Sequence, residues 1–371
     1  MQTKLAKNMG LEAPIFAFTR SKEVVLEVSR KGGLGVLGAV AMSPEELDEA
    51  CSWLDERLDG KPYGVDTVMP MSYEGKGEEW TEDKLRALIS PAHHQFVAHL
   101  LEKYGVDQLP ADYARKGEDL LGWSDERGRA HIEVALRHPI SLIANALGTP
   151  PADCIELAKA HGVKIAALCG KKKQALRHKQ AGLDVIIAQG TEAGGHTGEV
   201  AGMVLTPEIV DAVGDTPVLA AGGIGSGRQM AAALALGAQG VWTGSIWLTT
   251  AEHLDYHAPI VVEKLLEADS TDTVRSRAIS GKPARQLRTA WTEAWESAES
   301  PGYLPIPLMW MVQAEAVERI YHHGNKPLAG SPVGQVVGLM NEVRPTAAVM
   351  EDLMTDCMRT LQRMGHLGAG A

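Results

Sequence analysis

The sequence predicts an α/β protein of the (β/α)8-barrel class, the TIM barrel. Short apolar runs alternate with segments of helical spacing along much of the 371 residues, a pattern typical of βα units around a parallel sheet. Eight such runs are present, which is the number of strands that closes this barrel. The length also suits it, because α/β barrels routinely exceed about 200 residues as one domain.

Four predicted strands lie in the first half of the chain, at 14–18, 34–37, 63–68 and 140–145. The helix after the second strand begins at Ser43, with Pro44 at its first position and Glu46 completing a capping box. From about residue 71 to 138 the sequence becomes polar, charged and aromatic. We interpret this stretch as an insertion after the third strand.

The alternation returns in the second half, with strands predicted at 163–168, 184–189, 217–222 and 240–244. The remainder is helical and polar in pattern, and Trp291, Trp295 and Trp310 are expected to pack it against the barrel. The sequence therefore predicts a barrel over 1–256 and a helical C-terminal extension over 257–371.

Composition excludes several classes of protein. A formal net charge of −11 opposes nucleic-acid binding, which needs a concentrated basic face. No apolar run approaches the roughly 20 residues of a membrane-spanning helix, so no membrane association is expected. The four cysteines are scattered without a C-x-x-C pair, which favours a cytoplasmic protein without a metal site.

A glycine pattern near the N-terminus offers an alternative fold. Gly33, Gly35 and Gly38 satisfy G-x-G-x-x-G, the dinucleotide-binding fingerprint, which requires a strand before the glycines and a helix opening within them. Here a helix precedes the glycines and an apolar strand runs through them. The barrel is therefore favoured over a Rossmann fold.

Glycines also follow the last two predicted strands, where TIM barrels commonly bind phosphate. Gly222 and Gly223 follow the seventh strand, and Gly244 and Ser245 follow the eighth. Backbone N–H groups and a hydroxyl at these turns are suited to an anion. Two such turns after consecutive strands predict a phosphate-binding site.

The stretch AQGTEAGGHTG, residues 188–198, follows the sixth strand on the same rim. Gln189 ends the strand with an amide suited to the edge of a heteroaromatic ring. Gly194 and Gly195 lack Cβ atoms where a flat cofactor could press on the loop. His196 would stand above that cofactor and exchange a proton near neutral pH. Polar groups at this end of a barrel are usually functional.

These blocks resemble the FMN-dependent nitronate monooxygenases, formerly called 2-nitropropane dioxygenases. The resemblance rests on AQGTEAGGHTG, on AAGGIGSGRQMAAALALGAQGVWTGS, on the early GGLGVLGA and on SGKPARQL at 280–287. It covers the barrel from about residue 10 to 250. The same blocks occur in flavin-dependent enoyl thioester reductases and quinone reductases of similar fold.

The resemblance implies a role for each matching position. His196 matches the catalytic histidine of the family, and Asp66 stands where the family commonly has asparagine. The remaining matches are expected to contact the flavin or its phosphate, and they are Gln189, Gly194, Gly223, Trp242, Thr243, Gly244 and Ser245. Trp242 departs from the family pattern, in which glutamine is common.

The activity expected from this resemblance is oxidation of a nitronate or nitroalkane by FMN, with molecular oxygen as the final acceptor and His196 as base or anion-binding donor. One alternative is an NAD(P)H-dependent flavin reductase acting on enoyl thioesters or quinones. Another is a flavin-binding protein without turnover. The sequence leaves the physiological substrate and the oligomeric state open.

Overall fold

Eight parallel strands close into a barrel in the computed structural model of the protein, which describes residues 2–70, 81–113 and 124–369. Each strand pairs with its neighbours in parallel register, and the last pairs with the first, so the predicted barrel is confirmed. The barrel strands are β1 (Ile15–Thr19), β2 (Leu34–Gly38), β3 (Tyr63–Thr67), β4 (Leu142–Asn145), β5 (Lys164–Cys169), β6 (Val185–Gln189), β8 (Val218–Ala221) and β9 (Gly240–Thr243). Strand β7 (Gly195–His196) belongs to a separate sheet.

Helices surround the barrel. A short helix, α1 (Lys4–Asn8), precedes it, and the helices that follow successive strands are α2 (Lys22–Arg30), α3 (Pro44–Asp55), α6 (Asp125–Ala135), α7 (Ala152–Ala160), α8 (Lys172–Gln180), α9 (Gly202–Val213) and α10 (Gly227–Ala235). The predicted capping box of α3 is present, with Ser43 accepting from the Glu46 N–H and Glu46 accepting from the Ser43 N–H.

The predicted insertion at 71–138 is only partly described, because residues 71–80 and 114–123 lie outside the described ranges. Its described helices are α4 (Glu82–Arg86), α5 (Pro91–Lys103) and α6. Helix α6 packs on α3 and β3, in the place of the third barrel helix. Inserted structure among the described residues is therefore limited to the part of the segment that precedes α6.

The chain after the barrel strands forms α11 (Pro259–Glu267), β10 (Thr273–Ser276), β11 (Ala284–Leu287), α12 (Ala290–Trp295), α13 (Leu308–His322) and α14 (Thr346–Ala369). Helix α13 packs on α4 and α5, so the two additions meet beside the barrel. Trp291 and Trp295 are buried in a cluster that also holds barrel residues such as Ile15 and Val241, as the sequence indicated.

Helix α14 packs between α10 and α2, which is the position of the eighth barrel helix. Lys31 at the end of α2 pairs with Glu351, and the Arg228 N–H donates to the Asp356 carboxylate at 2.8 Å. The division of the chain at residue 257 stays a prediction. The structure nonetheless assigns the last helix of the predicted extension to the barrel wall.

Two strands of the extension join a third near the barrel mouth, and none of the three was predicted from the sequence. Strand β11 pairs antiparallel with β10 on one side and with β7 (Gly195–His196) on the other. These strands are short and lack an alternating apolar pattern, which is the signal that identifies strands in a sequence. Only tertiary pairing reveals them.

The early glycines serve packing, in agreement with the rejection of a dinucleotide fold. Gly32 ends α2 with a φ of +82°, a left-handed conformation that glycine adopts without strain. A Cβ on Gly35 would lie 2.5 Å from the Val25 carbonyl oxygen. Helix α2 therefore packs directly on β2.

Among the described residues, no helix is long and apolar enough to cross a membrane.

The contact between α10 and α14 can be tested at Gly227, whose Cβ in an alanine variant would overlap the Cys357 nitrogen and lie 2.5 Å from the Leu353 carbonyl oxygen. We expect Gly227→Ala to reduce the free energy of unfolding by about 1–3 kcal/mol, as overpacking does. Thermal unfolding followed by circular dichroism measures the change.

The matched control is Gly365→Ala, because nothing lies within 4 Å of the added Cβ at that position of α14. Alanine is the better helix former by about 1 kcal/mol, so this variant should be as stable as the parent or slightly more stable. Equal stability of both variants would contradict the close approach of the two helices.

Candidate active site

A cavity of about 360 Å³ opens at the carboxyl ends of the barrel strands. Its volume lies within the range of about 300–1,000 Å³ that is typical of ligand sites. All eleven residues that the sequence analysis selected line it, namely Asp66, Gln189, Gly194, Gly195, His196, Gly222, Gly223, Trp242, Thr243, Gly244 and Ser245. The fold therefore brings together the predicted site residues, which come from four strands and their loops.

The floor of this cavity is formed by side chains at the carboxyl ends of the barrel strands. Asp66 and Gln189 line it beside the apolar side chains of Phe18, Leu168 and Trp242. Phe18 and Trp242 stack, with ring centroids 6.2 Å apart. A largely apolar floor with two polar side chains suits a flat heteroaromatic ligand, because such ligands need few but well-placed polar partners.

Backbone N–H groups gather at the turns after β8 and β9. Gly222 and Gly223 have φ values of +97° and +69°, so the turn requires glycine at both positions. Within the described ranges, the N–H groups of Gly223, Ile224, Gly244 and Ser245 donate to no other residue. Unpaired N–H groups at adjacent turns form the kind of concave site that binds anions.

Two side chains predicted to face a ligand are engaged elsewhere. The Thr243 hydroxyl donates to the Phe16 carbonyl at 3.3 Å and accepts from the Trp247 indole at 3.1 Å. The Ser245 hydroxyl accepts from the Gly334 N–H at 2.9 Å. The Thr243 hydroxyl is therefore occupied within the protein, whereas Ser245 retains a hydroxyl proton that it can donate.

The loop after β6 is held by the chain itself. A Cβ on Gly194 would lie 2.8 Å from the Gly334 nitrogen, so glycine is required here by residues 333–334. Gly195 has a φ of +76°. A Cβ on Gly195 would meet nothing within 4 Å, so the space beside this glycine is open. The second loop of the protein accounts for the glycine at position 194, whereas the contact of a flat cofactor with the two glycines stays a prediction.

His196 is fixed in position by the strand pairing and by a hydroxyl. In β7 it pairs with Ala284 of β11, and its Nε2 lies 2.6 Å from the Ser280 Oγ. Burial, with a smaller contribution from the positive charge of Lys282, lowers the pKa of His196 to about 4. The imidazole is therefore neutral near pH 7, which is the protonation state of a general base.

A second polar group on the cavity wall was not predicted. His253 and His257 lie with ring centroids 4.8 Å apart, beside Arg20 and Tyr256. Burial lowers the pKa of His253 to about 4 and that of His257 to about 3, and Arg20 adds to both shifts. The sequence signal that could have identified this pair is the i, i+4 spacing of two histidines after β9, the eighth strand of the barrel.

The C-terminal segment covers one side of the cavity. Ile279, Ala284, Trp310, Pro332 and Val336 line it from the loops around β11, α13 and the turn that follows. The barrel by itself would leave this side open.

Among the described residues, no group of three or more His, Cys, Asp or Glu side chains is arranged to hold a metal ion.

A closed (β/α)8 barrel with unpaired N–H groups at the described turns after its last two strands and a neutral histidine at its mouth has the architecture of a TIM-barrel enzyme. The family model for nitronate monooxygenase matches residues 3–356. The chain therefore belongs to the nitronate monooxygenase family, a family of flavin-dependent oxidoreductases.

Individual relatives agree with this assignment. The chain is 47% identical to Rv1533 of Mycobacterium tuberculosis, named as a monooxygenase, over 99% of both chains. It is 26% identical to a Staphylococcus aureus (strain Newman) protein named as a nitronate monooxygenase, over 97% of this chain and 99% of that one. The nitroalkane oxidase structure from Streptomyces ansochromogenes shares the fold, with a TM-score of 0.79 at 24% identity over 97% of this chain and 99% of that one.

Burial and the charge of Lys282 both lower the pKa of His196, and replacing Lys282 separates the two causes. We expect Lys282→Gln to raise the pKa of His196 above about 4, because a nearby positive charge disfavours the imidazolium. The pKa should stay below 6.5, since burial is the larger cause. An NMR titration of ¹³C-labelled histidine measures it.

Lys282→Arg is the matched control, because it keeps the positive charge and should leave the pKa of His196 nearly unchanged. If glutamine and arginine at this position gave the same titration, the electrostatic contribution of Lys282 would be disproved.

Proposed function

We propose that the protein binds FMN at the cavity and oxidises nitronates or nitroalkanes with molecular oxygen. The observation that supports this most is the position of His196, a neutral imidazole held against Ser280 at the edge of a cavity that carries unpaired N–H donors at one end. Family membership supports nitronate oxidation in general, and the chemistry of the site supports the finer assignment.

The residues present fit a singly phosphorylated flavin. The N–H groups of Gly223, Ile224, Gly244 and Ser245 would hold the phosphate, since unpaired backbone donors at a turn favour negative charge. Gln189 and Asp66 would hydrogen-bond the heteroaromatic edge, and Phe18 and Trp242 would pack beside the ring. When bound, FMN supplies the electron acceptor that molecular oxygen regenerates.

His196 would accept the proton from the carbon next to the nitro group. Its low pKa keeps the imidazole neutral until the pH falls to about 4, so the base is competent at neutral pH. The Ser280 hydroxyl, 2.6 Å from Nε2, restricts rotation of the ring. The positive charge of Lys282 lies close enough to influence His196, and it would favour a substrate that becomes anionic when it loses this proton.

Replacing His196 tests this role. We expect His196→Asn to bind FMN with an unchanged visible spectrum but to lower turnover of a neutral nitroalkane by roughly 10²- to 10⁴-fold, the usual contribution of a positioned proton acceptor. Oxygen consumption measures turnover. A preformed nitronate has already lost its proton, so its oxidation should fall less.

The control is His161→Asn, an exposed histidine at the end of α7, which should keep full activity. Unchanged nitroalkane turnover in His196→Asn would remove the proposed base. Rapid anaerobic reduction of the flavin by NADH, without activity on nitronates, would favour the reductase alternative instead.

The choice of FMN over other flavins is tested by comparing FMN with riboflavin, which lacks the phosphate. A hydrogen bond to a charged group is worth about 1.5–3 kcal/mol, so one or two such bonds make FMN bind tighter by roughly tenfold to 10⁴-fold. Quenching of flavin fluorescence gives both dissociation constants. Equal affinity for the two flavins would contradict a phosphate site at these turns.

A further inference from the structure

Asp66 is a buried carboxyl group that faces the cavity. It ends the inward-facing row of β3, and its exposed fraction is only 4%. The residues beside it in the sheet are Gly38 of β2 and Ala144 of β4. Neither neighbour has a polar side chain, so the sheet itself offers no partner to the carboxyl oxygens.

The carboxyl group also has no partner elsewhere in the described part of the chain. No hydrogen bond or ion pair joins it to residues 2–70, 81–113 or 124–369. Asn145, which ends the neighbouring strand β4, is engaged with other groups: its Oδ1 accepts from the Met69 N–H at 2.8 Å, and its Nδ2 donates to the Gly148 carbonyl at 2.9 Å.

Burial alone therefore determines the ionisation of Asp66. It raises the pKa of this carboxyl group well above its usual value, and no charged neighbour contributes to the shift. The ionisable groups of the cavity are Arg20, Asp66, His196, His253, Tyr256 and His257. An unpartnered carboxylate in such a place is costly, whereas the neutral acid is not.

We propose that Asp66 acts as a neutral carboxylic acid that hydrogen-bonds the heteroaromatic edge of the flavin, so that the protein binds flavin more weakly once this acid ionises. The inference rests on the proposed function, because it requires the flavin to occupy this cavity. It means that tight binding of the flavin requires Asp66 to be protonated.

The chemistry of the two forms explains the requirement. A neutral acid presents one O–H donor and one carbonyl acceptor side by side, as an amide does. The pyrimidine edge of a flavin carries carbonyl oxygens beside an N–H group, so it matches such a pair at two points. An ionised carboxylate only accepts hydrogen bonds, and it would face the flavin carbonyl oxygens with negative charge.

The experiment measures the dissociation constant of FMN by fluorescence quenching across the pH range in which the protein stays folded. It compares the wild type with Asp66→Asn, which is always neutral and keeps both a donor and an acceptor, and with Asp66→Ala, which has neither. The phosphate of FMN titrates in all three proteins, so its effect cancels in the comparison.

We expect the wild type to bind FMN as Asp66→Asn does at low pH, and more tightly than Asp66→Ala by roughly tenfold, the value of one or two hydrogen bonds. As the pH rises, the wild-type affinity should fall to that of Asp66→Ala or below it, while Asp66→Asn keeps its advantage. Parallel pH profiles for the wild type and Asp66→Asn would overturn the proposal.

Infrared difference spectra provide a readout that needs no flavin. At about pH 6, roughly two units above the usual aspartate pKa of about 3.9, the wild type minus Asp66→Asn should still show the C=O stretch of a protonated carboxylic acid, and the band should disappear at higher pH. Absence of the band at about pH 6 would overturn the inference. If the wild type shows the band but binds no FMN, the proposed function fails and the inference fails with it.

Discussion

The antiparallel pairing of β7 with β11 is the contact on which the cavity depends. Gly195 and His196 pair with Arg285 and Ala284, which fixes the imidazole in position and draws the C-terminal segment over the barrel mouth. The Arg285 guanidinium strengthens the contact by donating from Nε to the Thr191 carbonyl at 2.8 Å. The segment 333–335 also holds this loop, because the Gln335 N–H donates to the Glu192 carbonyl at 2.9 Å.

Desolvation sets the electrostatics of the cavity. Burial lowers the pKa values of His196 and His253 to about 4 and raises the pKa of Asp66 well above its usual range. In all three cases burial favours the uncharged form. These three side chains thus offer the cavity neutral groups that can donate and accept hydrogen bonds. The positive charges close to them are those of Arg20, near His253, and Lys282, near His196.

Most of the barrel and of its rim could be predicted from the sequence, because both follow from local rules. Apolar runs gave eight strands whose ends agree with the structure to about two residues, and residues at the ends of parallel strands must meet at one rim. The strands β7, β10 and β11 could not be predicted, because they are stabilised by pairing with distant segments rather than by an apolar pattern. Helix α14 was missed as a barrel helix for a related reason, since about a hundred residues separate it from β9.

The sequence by itself determined the barrel, the glycine turns after β8 and β9 and the position of His196 at the rim, since strand periodicity and chain order are local properties. Only the tertiary structure decided why Gly194 is a glycine, that Ser280 and Lys282 act on His196, and that His253, His257 and Arg20 share its cavity. Those facts depend on which distant segments come into contact and on how much water they exclude, and no local pattern records either.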